Sequence, residues 1–265
     1  ALLKHFPFPH ALPVSGGDKA NDFALQLIQT RYNPPDDAPI VVFKHAFHGR
    51  SSAMKALSGA PITSLSPRVK IASLPFYSPE HPFAAKDALE TLMKNQTRPF
   101  CFFVELFQGE GGFNYAPPEF FIPLFSLCRT YEIPIVVDEV HTSCRTGWPL
   151  LCQRFNLEMF PDIVTVGKAT QTAAVLFSRG YDADKAILSE TNPGGAEEQL
   201  QRGIHTLNTL ADEGYWGSNG KIMQLESALR IHFFRLKEHY PHVSYTVLGN
   251  MAAIRLPCFT KKEIA

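Results

Sequence analysis

Two kinds of hydrophobic pattern alternate along the chain. Short, unbroken apolar runs rich in β-branched residues mark buried strands: Ile40 to Phe43, Pro99 to Val104, Ile133 to Val137 and Ile163 to Val166. None shows the polar alternation of a half-exposed strand, so each reads as a parallel strand covered on both faces. Between them lie stretches with helical spacing: Ala20 to Tyr32, Asp87 to Lys94 and Pro118 to Tyr131. Ala173 to Phe177 reads as an antiparallel return strand. Ala196 to Leu210 and Ile222 to Glu238 follow as helices, and Val243 to Leu256 as two short strands. Strand and helix alternate up to about Leu210. The expected fold is therefore α/β, a three-layer αβα sandwich around a mostly parallel sheet, with part of a smaller α+β unit behind it. The expected division is 1–210 for the large unit and 211–265 for part of the small one.

Composition narrows this little. A chain of 265 residues that is 45% hydrophobic and 19% charged can bury a large core. The formal net charge is zero, so bulk electrostatics favours neither nucleic acid nor an anionic membrane. No apolar run approaches the roughly 18 residues of a membrane span. The five cysteines form no C-x-x-C pair and read as reduced residues of a cytosolic protein, with Cys101 and Cys128 in the core. No metal-ligand spacing occurs. Residue 1 lies close to the first glycine loop and the chain stops soon after an apolar strand, so the sequence reads as a fragment.

Candidate chemistry lies where the strands stop. The run Ile133–Val137 stops at Asp138-Glu139, and Ile163–Val166 stops at Gly167-Lys168. Phe47 and Glu105 follow two other strands. Ligands of open α/β sheets sit beyond the carboxyl ends of the strands. Gly16-Gly17 opens a helix, where free N–H groups and the dipole favour a phosphate. An amine, an acid, an aromatic and a phosphate grip are the parts that pyridoxal 5'-phosphate requires.

Several motifs then fall in register with one family. Ala46-Phe47-His48-Gly49-Arg50 is similar to its A-F-H-G-R loop, and Glu105 to Gly112 to its E-P-x-Q-G-E-G-G segment. Asp138-Glu139-Val140-His141-Thr142 with Arg145-Thr146-Gly147 resembles D-E-V-Q-T-G-x-G-R-T-G, and Pro161 to Lys168 resembles the lysine strand. The chain thus resembles the class III (ω-) aminotransferases of the fold type I pyridoxal phosphate enzymes. Its nearest branch is L-lysine 6-aminotransferase, on Gly167 to Gln171 and Gly214-Tyr215-Trp216-Gly217. The resemblance implies an ω-amino donor, a 2-oxo acid acceptor such as 2-oxoglutarate, and a homodimer. It implies that Lys168 bonds the cofactor and moves the reaction proton. Asp138 would pair with the ring nitrogen, Phe47 would stack on the ring, and Glu105 would be a gating carboxylate. Gly17 and Asp18 would lie at the phosphate, with His48 near the site.

Some positions depart from the family pattern. His141 stands where the family has Gln, so its charge could vary near neutral pH. Asp18 would face a phosphate of its own sign. Asn192 falls where a threonine would reach the partner subunit's phosphate. Arg50 and Arg145 read as structural. Two rival readings stay open: a degenerate relative kept as a binding or assembly module, and a different reaction on the same cofactor.

Overall fold

The computed structural model describes residues 2–32, 35, 38–59, 70–95, 98–181 and 197–256. Asn192 with its loop, and Cys258, lie outside the described residues. Eleven strands are described: β1 His10–Val14, β2 Ile40–Phe43, β3 Ile71–Leu74, β4 Cys101–Val104, β5 Phe107–Gln108, β6 Asn114–Tyr115, β7 Ile135–Glu139, β8 Ile163–Val166, β9 Ala173–Phe177, β10 Ser244–Leu248 and β11 Met251–Arg255. The helices used below are α1 Gly17–Tyr32, α2 Ser52–Leu57, α3 Ala84–Asn95, α4 Pro118–Thr130, α5 Leu151–Arg154, α6 Glu197–Asp212 and α7 Lys221–His239.

The main sheet has seven strands in the order β1-β9-β8-β7-β4-β2-β3. From β3 to β8 every pairing is parallel; β9 then runs antiparallel to β8, and β1 antiparallel to β9. The expected mostly parallel sheet and the return strand at Ala173 are therefore both present. The chain goes from β2 outward to β3, then returns across β2 to β4 and onward to β7. That reversal opens the crevice in which such sheets hold their ligands.

Side-chain parity divides the core in two. Val41, Phe43, Phe102, Val104, Ile135 and Val137 pack on the face covered by α3 and α4. Ile40, Val42, Cys101, Phe103, Val136 and Ile163 pack on the face covered by α1 and α2. Both faces of the central strands are thus dry, which is why these strands read as continuous apolar runs. Burial of these side chains, at about 25 cal/mol per Å² of apolar surface, is the main force holding the layers together.

Three details differ from the sequence reading. The strand β7 begins at Ile135 and carries Asp138 and Glu139 inside it, paired with Thr165 and Val166, rather than ending before them. Strand β1 was not anticipated, because Pro13 lies within it. As an edge strand bonded only to β9, it tolerates a residue without an N–H. The edge strand β3 and the two-residue pair β5–β6 were too short to stand out.

Beyond the sheet, α7 packs against the antiparallel hairpin β10–β11. The buried carboxylate of Glu226 fastens this part to the rest. It accepts from Arg154 Nη1 and Nη2 at 2.8 and 3.1 Å, from Arg230 Nε at 3.0 Å, and from the Gly249 N–H. Burial alone would raise its pKa, but the bonds from Arg154, Gly249 and Arg230 outweigh that and hold it below the usual carboxylate value.

Candidate active site

Alternation along β7 sends Asp138 and Glu139 to opposite faces. Glu139 enters the face of α5 and is consumed there: it accepts from Leu151 N at 2.6 Å, Cys152 N at 2.8 Å and Thr142 Oγ1 at 3.0 Å. Asp138 shares the parity of Val136 and turns toward α1 and the open crevice. Its Oδ2 accepts from Asn21 Nδ2 and faces His48 Nδ1, each at 2.8 Å. Its Oδ1 accepts from Val140 N at 3.0 Å. A carboxylate offers about four lone-pair positions. Thr165 Oγ1 lies 3.5 Å from Oδ1 but donates its one proton to Asn21 Oδ1 at 2.7 Å. One position on Oδ1 is left open.

His48 follows β2. It is buried edge-on against Phe103 at 4.7 Å between ring centres. With Nδ1–H donating to Asp138, Nε2 keeps a lone pair that meets no partner among the described residues. Phe47, one residue earlier, is half-buried and donates its N–H to Glu105 Oε2 at 2.9 Å. Glu105 follows β4 and is only 4% exposed. Burial first, then the Asp138 carboxylate, push its pKa well above the usual value. The N–H groups of Phe47 and Gly109 and the charge of Lys168 pull the other way without prevailing. Glu105 pairs with a backbone here, and no arginine touches it among the described residues.

Lys168 follows β8 in a short 3-10 turn, exposed, with a left-handed φ of 49°. Its Nζ lies 3.4 Å from His141 Nδ1. Burial, then the charges of Lys168 and Arg145, lower the His141 pKa to about 4. With that shift the imidazole carries no charge at neutral pH. The backbone of Gly109 lies directly on the ring: a Cβ there would come within 2.0 Å of His141 Nδ1.

At the start of α1, Gly17 lies against Val140, where a Cβ would sit 2.5 Å from Val140 Cγ1. Asp18 stays at the helix start and accepts from Lys19 N at 2.9 Å. A cavity of about 360 Å³ is lined by Gly17, Asp18, Phe47, Asp138, His141 and Lys168, and by Asn21, His48 and Glu105. All the anticipated site residues within the described chain therefore share one cavity. Arg50 lines it too, whereas Arg145 lines a neighbouring cavity reached past His141.

Asn21 and Thr165 were missed. Asn21 looks like an ordinary interior position of a helix, and Thr165 like a β-branched strand residue. Only the pairing of α1 with β7 and β8 brings both to Asp138. No local pattern carries that information.

The sequence model described as aminotransferase class-III matches residues 1–209. The chain belongs to the class-III aminotransferase family. It is 31% identical over 286 residues to the L-lysine-epsilon aminotransferase of Mycobacterium bovis, covering 96% of this chain and 63% of that protein. It is 26% identical to the mitochondrial ornithine aminotransferase of Oryza sativa, covering 94% and 53%. The solved lysine aminotransferase of M. tuberculosis superposes with a TM-score of 0.78 at 25% identity, covering 94% of this chain and 63% of that one. This class-III chain thus spans about two thirds or less of the length of these relatives.

Class-III aminotransferases are pyridoxal-phosphate-dependent. The cavity fits that group in three respects. Its volume lies in the range of small-ligand pockets. The carboxylate on its wall keeps one acceptor position without a close partner among the described residues, and an amine stands at its rim. The fit is poorest at the helix start, where Asp18 holds a negative charge and takes the Lys19 N–H.

Proposed function

We propose that this chain carries the cofactor site of a pyridoxal-phosphate-dependent transaminase, moving an amino group from an ω-amine such as that of L-lysine to a 2-oxo acid such as 2-oxoglutarate. The observation that carries the reading is one cavity walled by Lys168, Asp138 and Phe47. The lysine and ornithine aminotransferases that the chain is similar to support a diamino acid as donor. The reading extends to a homodimer in the cytosol, with the division between large and small units near Leu210.

When bound, pyridoxal phosphate supplies a carbonyl carbon that captures amines and a ring that withdraws electrons while its nitrogen is protonated. The residues of the chain do the rest. Lys168 would hold the cofactor through its amine and, in amino-group transfer, would carry the proton between the substrate carbon and the cofactor carbon. Asp138, with one position on Oδ1 unfilled by protein donors, would pair with the ring nitrogen. Phe47, on the cavity wall, would cover a ring face and exclude water from it. His141, neutral, presents Nδ1 as an acceptor beside the Lys168 amine. Glu105 holds the Phe47 loop in place and presents a carboxyl to the incoming substrate.

The test is retention of cofactor. The protein is mixed with pyridoxal phosphate and dialysed, and its visible absorption is recorded before L-lysine and 2-oxoglutarate are added. Retained colour and glutamate formation are expected. Lys168→Ala should lose the retained colour and lower turnover by about 10²–10⁴-fold, the range of a lost acid–base group. A wild-type protein that retains no cofactor would overturn the reading.

A further inference from the structure

Asp138 can meet a protonated ring nitrogen only if it is ionised and if one of its acceptor positions is free. Nothing in the strand that carries it guarantees either condition. The groups that do so lie on two other elements.

Asn21 sits one turn inside α1 and is 1% exposed. All the bonds of its amide point inward. Nδ2 donates to the His48 carbonyl at 2.7 Å and to Asp138 Oδ2 at 2.8 Å, while Oδ1 accepts from Thr165 Oγ1 at 2.7 Å. Turning the amide over would set its carbonyl oxygen against two other acceptors. Those two acceptors fix the amide, and Thr165 gives its hydroxyl proton to the nearer oxygen, Asn21 Oδ1, rather than to Asp138 Oδ1 at 3.5 Å. The same choice leaves Oδ1 of Asp138 with only the Val140 N–H. The register of β7 and β8 places Thr165 opposite Asp138, so the sheet itself delivers this hydroxyl.

We infer that Thr165 and Asn21 are positioning residues: Thr165 satisfies the Asn21 amide oxygen, and the amide aligns the Asp138 carboxylate so that one acceptor position on Oδ1 is left without a protein partner. The inference rests on the proposed transaminase reading for its purpose. The state of Asp138 can nonetheless be measured without cofactor. The titratable and charged groups around it are Asp18 on α1, His48 and Arg50 after β2, Glu105 after β4, Glu110 after β5, His141 after β7 and Lys168 after β8.

The experiment follows the Asp138 carboxyl by carbon NMR in the cofactor-free protein, and then measures affinity for pyridoxal phosphate. Thr165→Val leaves the buried Asn21 amide oxygen without its donor, so the amide should shift off Asp138 and raise the pH at which Asp138 titrates. It should also weaken cofactor binding about tenfold or more, as losing alignment of one charge-assisted hydrogen bond implies. Thr165→Ser keeps the hydroxyl and should restore both. A purely packing role for Thr165 would instead leave the Asp138 titration unmoved in Thr165→Val.

Asn21→Asp is nearly isosteric and puts a second carboxylate beside Oδ2. Two such groups cannot both ionise, so the pair should keep one proton at neutral pH. The folded state then binds more protons than the unfolded one, and stability should fall as pH rises from about 5 to about 8, unlike the wild type. Wild-type titration of Asp138 in Thr165→Val, or failure of Thr165→Ser to restore it, overturns the inference. If the titration shifts as expected but no variant and no wild-type protein binds cofactor, the transaminase reading fails and the inference about Asp138 stands.

Discussion

Replacing Asp18 by Asn should strengthen binding of pyridoxal phosphate. Asp18 is in the first turn of α1, half-exposed, with Oδ1 on the Lys19 N–H and its side chain at the wall of the cavity. A helix start attracts anions through its free N–H groups and dipole, and Asp18 already occupies that field. Lys19 does not neutralise it, since its Nζ is directed to Asp22 at 4.0 Å. Two unit charges about 4 Å apart repel by about 4 kcal/mol at an effective dielectric of 20 and about 1 kcal/mol in water. A half-exposed group lies between these limits. A penalty of about 2 kcal/mol corresponds to a roughly 30-fold gain in affinity when the charge is removed. Asn can keep the bond to Lys19 N, so the helix start should survive. The assay is equilibrium titration with pyridoxal phosphate and, in parallel, with pyridoxal, which lacks the phosphate. The gain should be confined to the phosphorylated form and should shrink as salt rises from about 0.01 M to about 1 M, as the Debye length falls from about 30 to about 3 Å. An equal gain for both ligands, or none for either, would refute the electrostatic argument.

Further outcomes concern the same scaffold. Gly109→Ala should displace the His141 ring, since its Cβ would lie 2.0 Å from Nδ1; the His141 imidazole resonances should move and cofactor binding fall, with the circular dichroism of the fold unchanged. Glu226→Ala should cost about 2–3 kcal/mol in chemical denaturation, because it leaves the half-buried Arg154 with only the Thr146 carbonyl. The lowered pKa of Glu226 also means that its contribution is present above the unfolded value of about 4.3 and is lost as pH falls through the folded one, so the wild type should destabilise in acid more steeply than Glu226→Gln. Glu105 has the opposite sign. Its raised pKa means that wild-type stability declines as pH rises above about 4.3, and Glu105→Gln should flatten that decline in thermal melts across pH.

The parts of this molecule that were legible in the sequence are those whose cause is local. The central strands announce themselves because both of their faces are dry, and Glu105 and Lys168 because an apolar run ends abruptly at each. Helix starts and the return strand at Ala173 are visible for similar reasons. Strand β1 was obscured because Pro13 is a poor strand residue everywhere except at an edge, and being an edge is a property of the whole sheet. Asn21, Thr165 and the Glu226 clasp were unreadable because each acquires its meaning from partners far away in the chain: 117 residues separate Asn21 from Asp138, and 72 separate Arg154 from Glu226.

The backbone of Lys168 carries a cost of its own. At φ 49° an L-residue sits in a region that costs roughly 1–2 kcal/mol relative to the ordinary helical or extended basins. Glycine would relieve that strain, yet only lysine brings an amine to the rim. Folding strength and chemical reach therefore pull in opposite directions at this residue, and a search for sturdier variants that ignored turnover would be drawn to replace it.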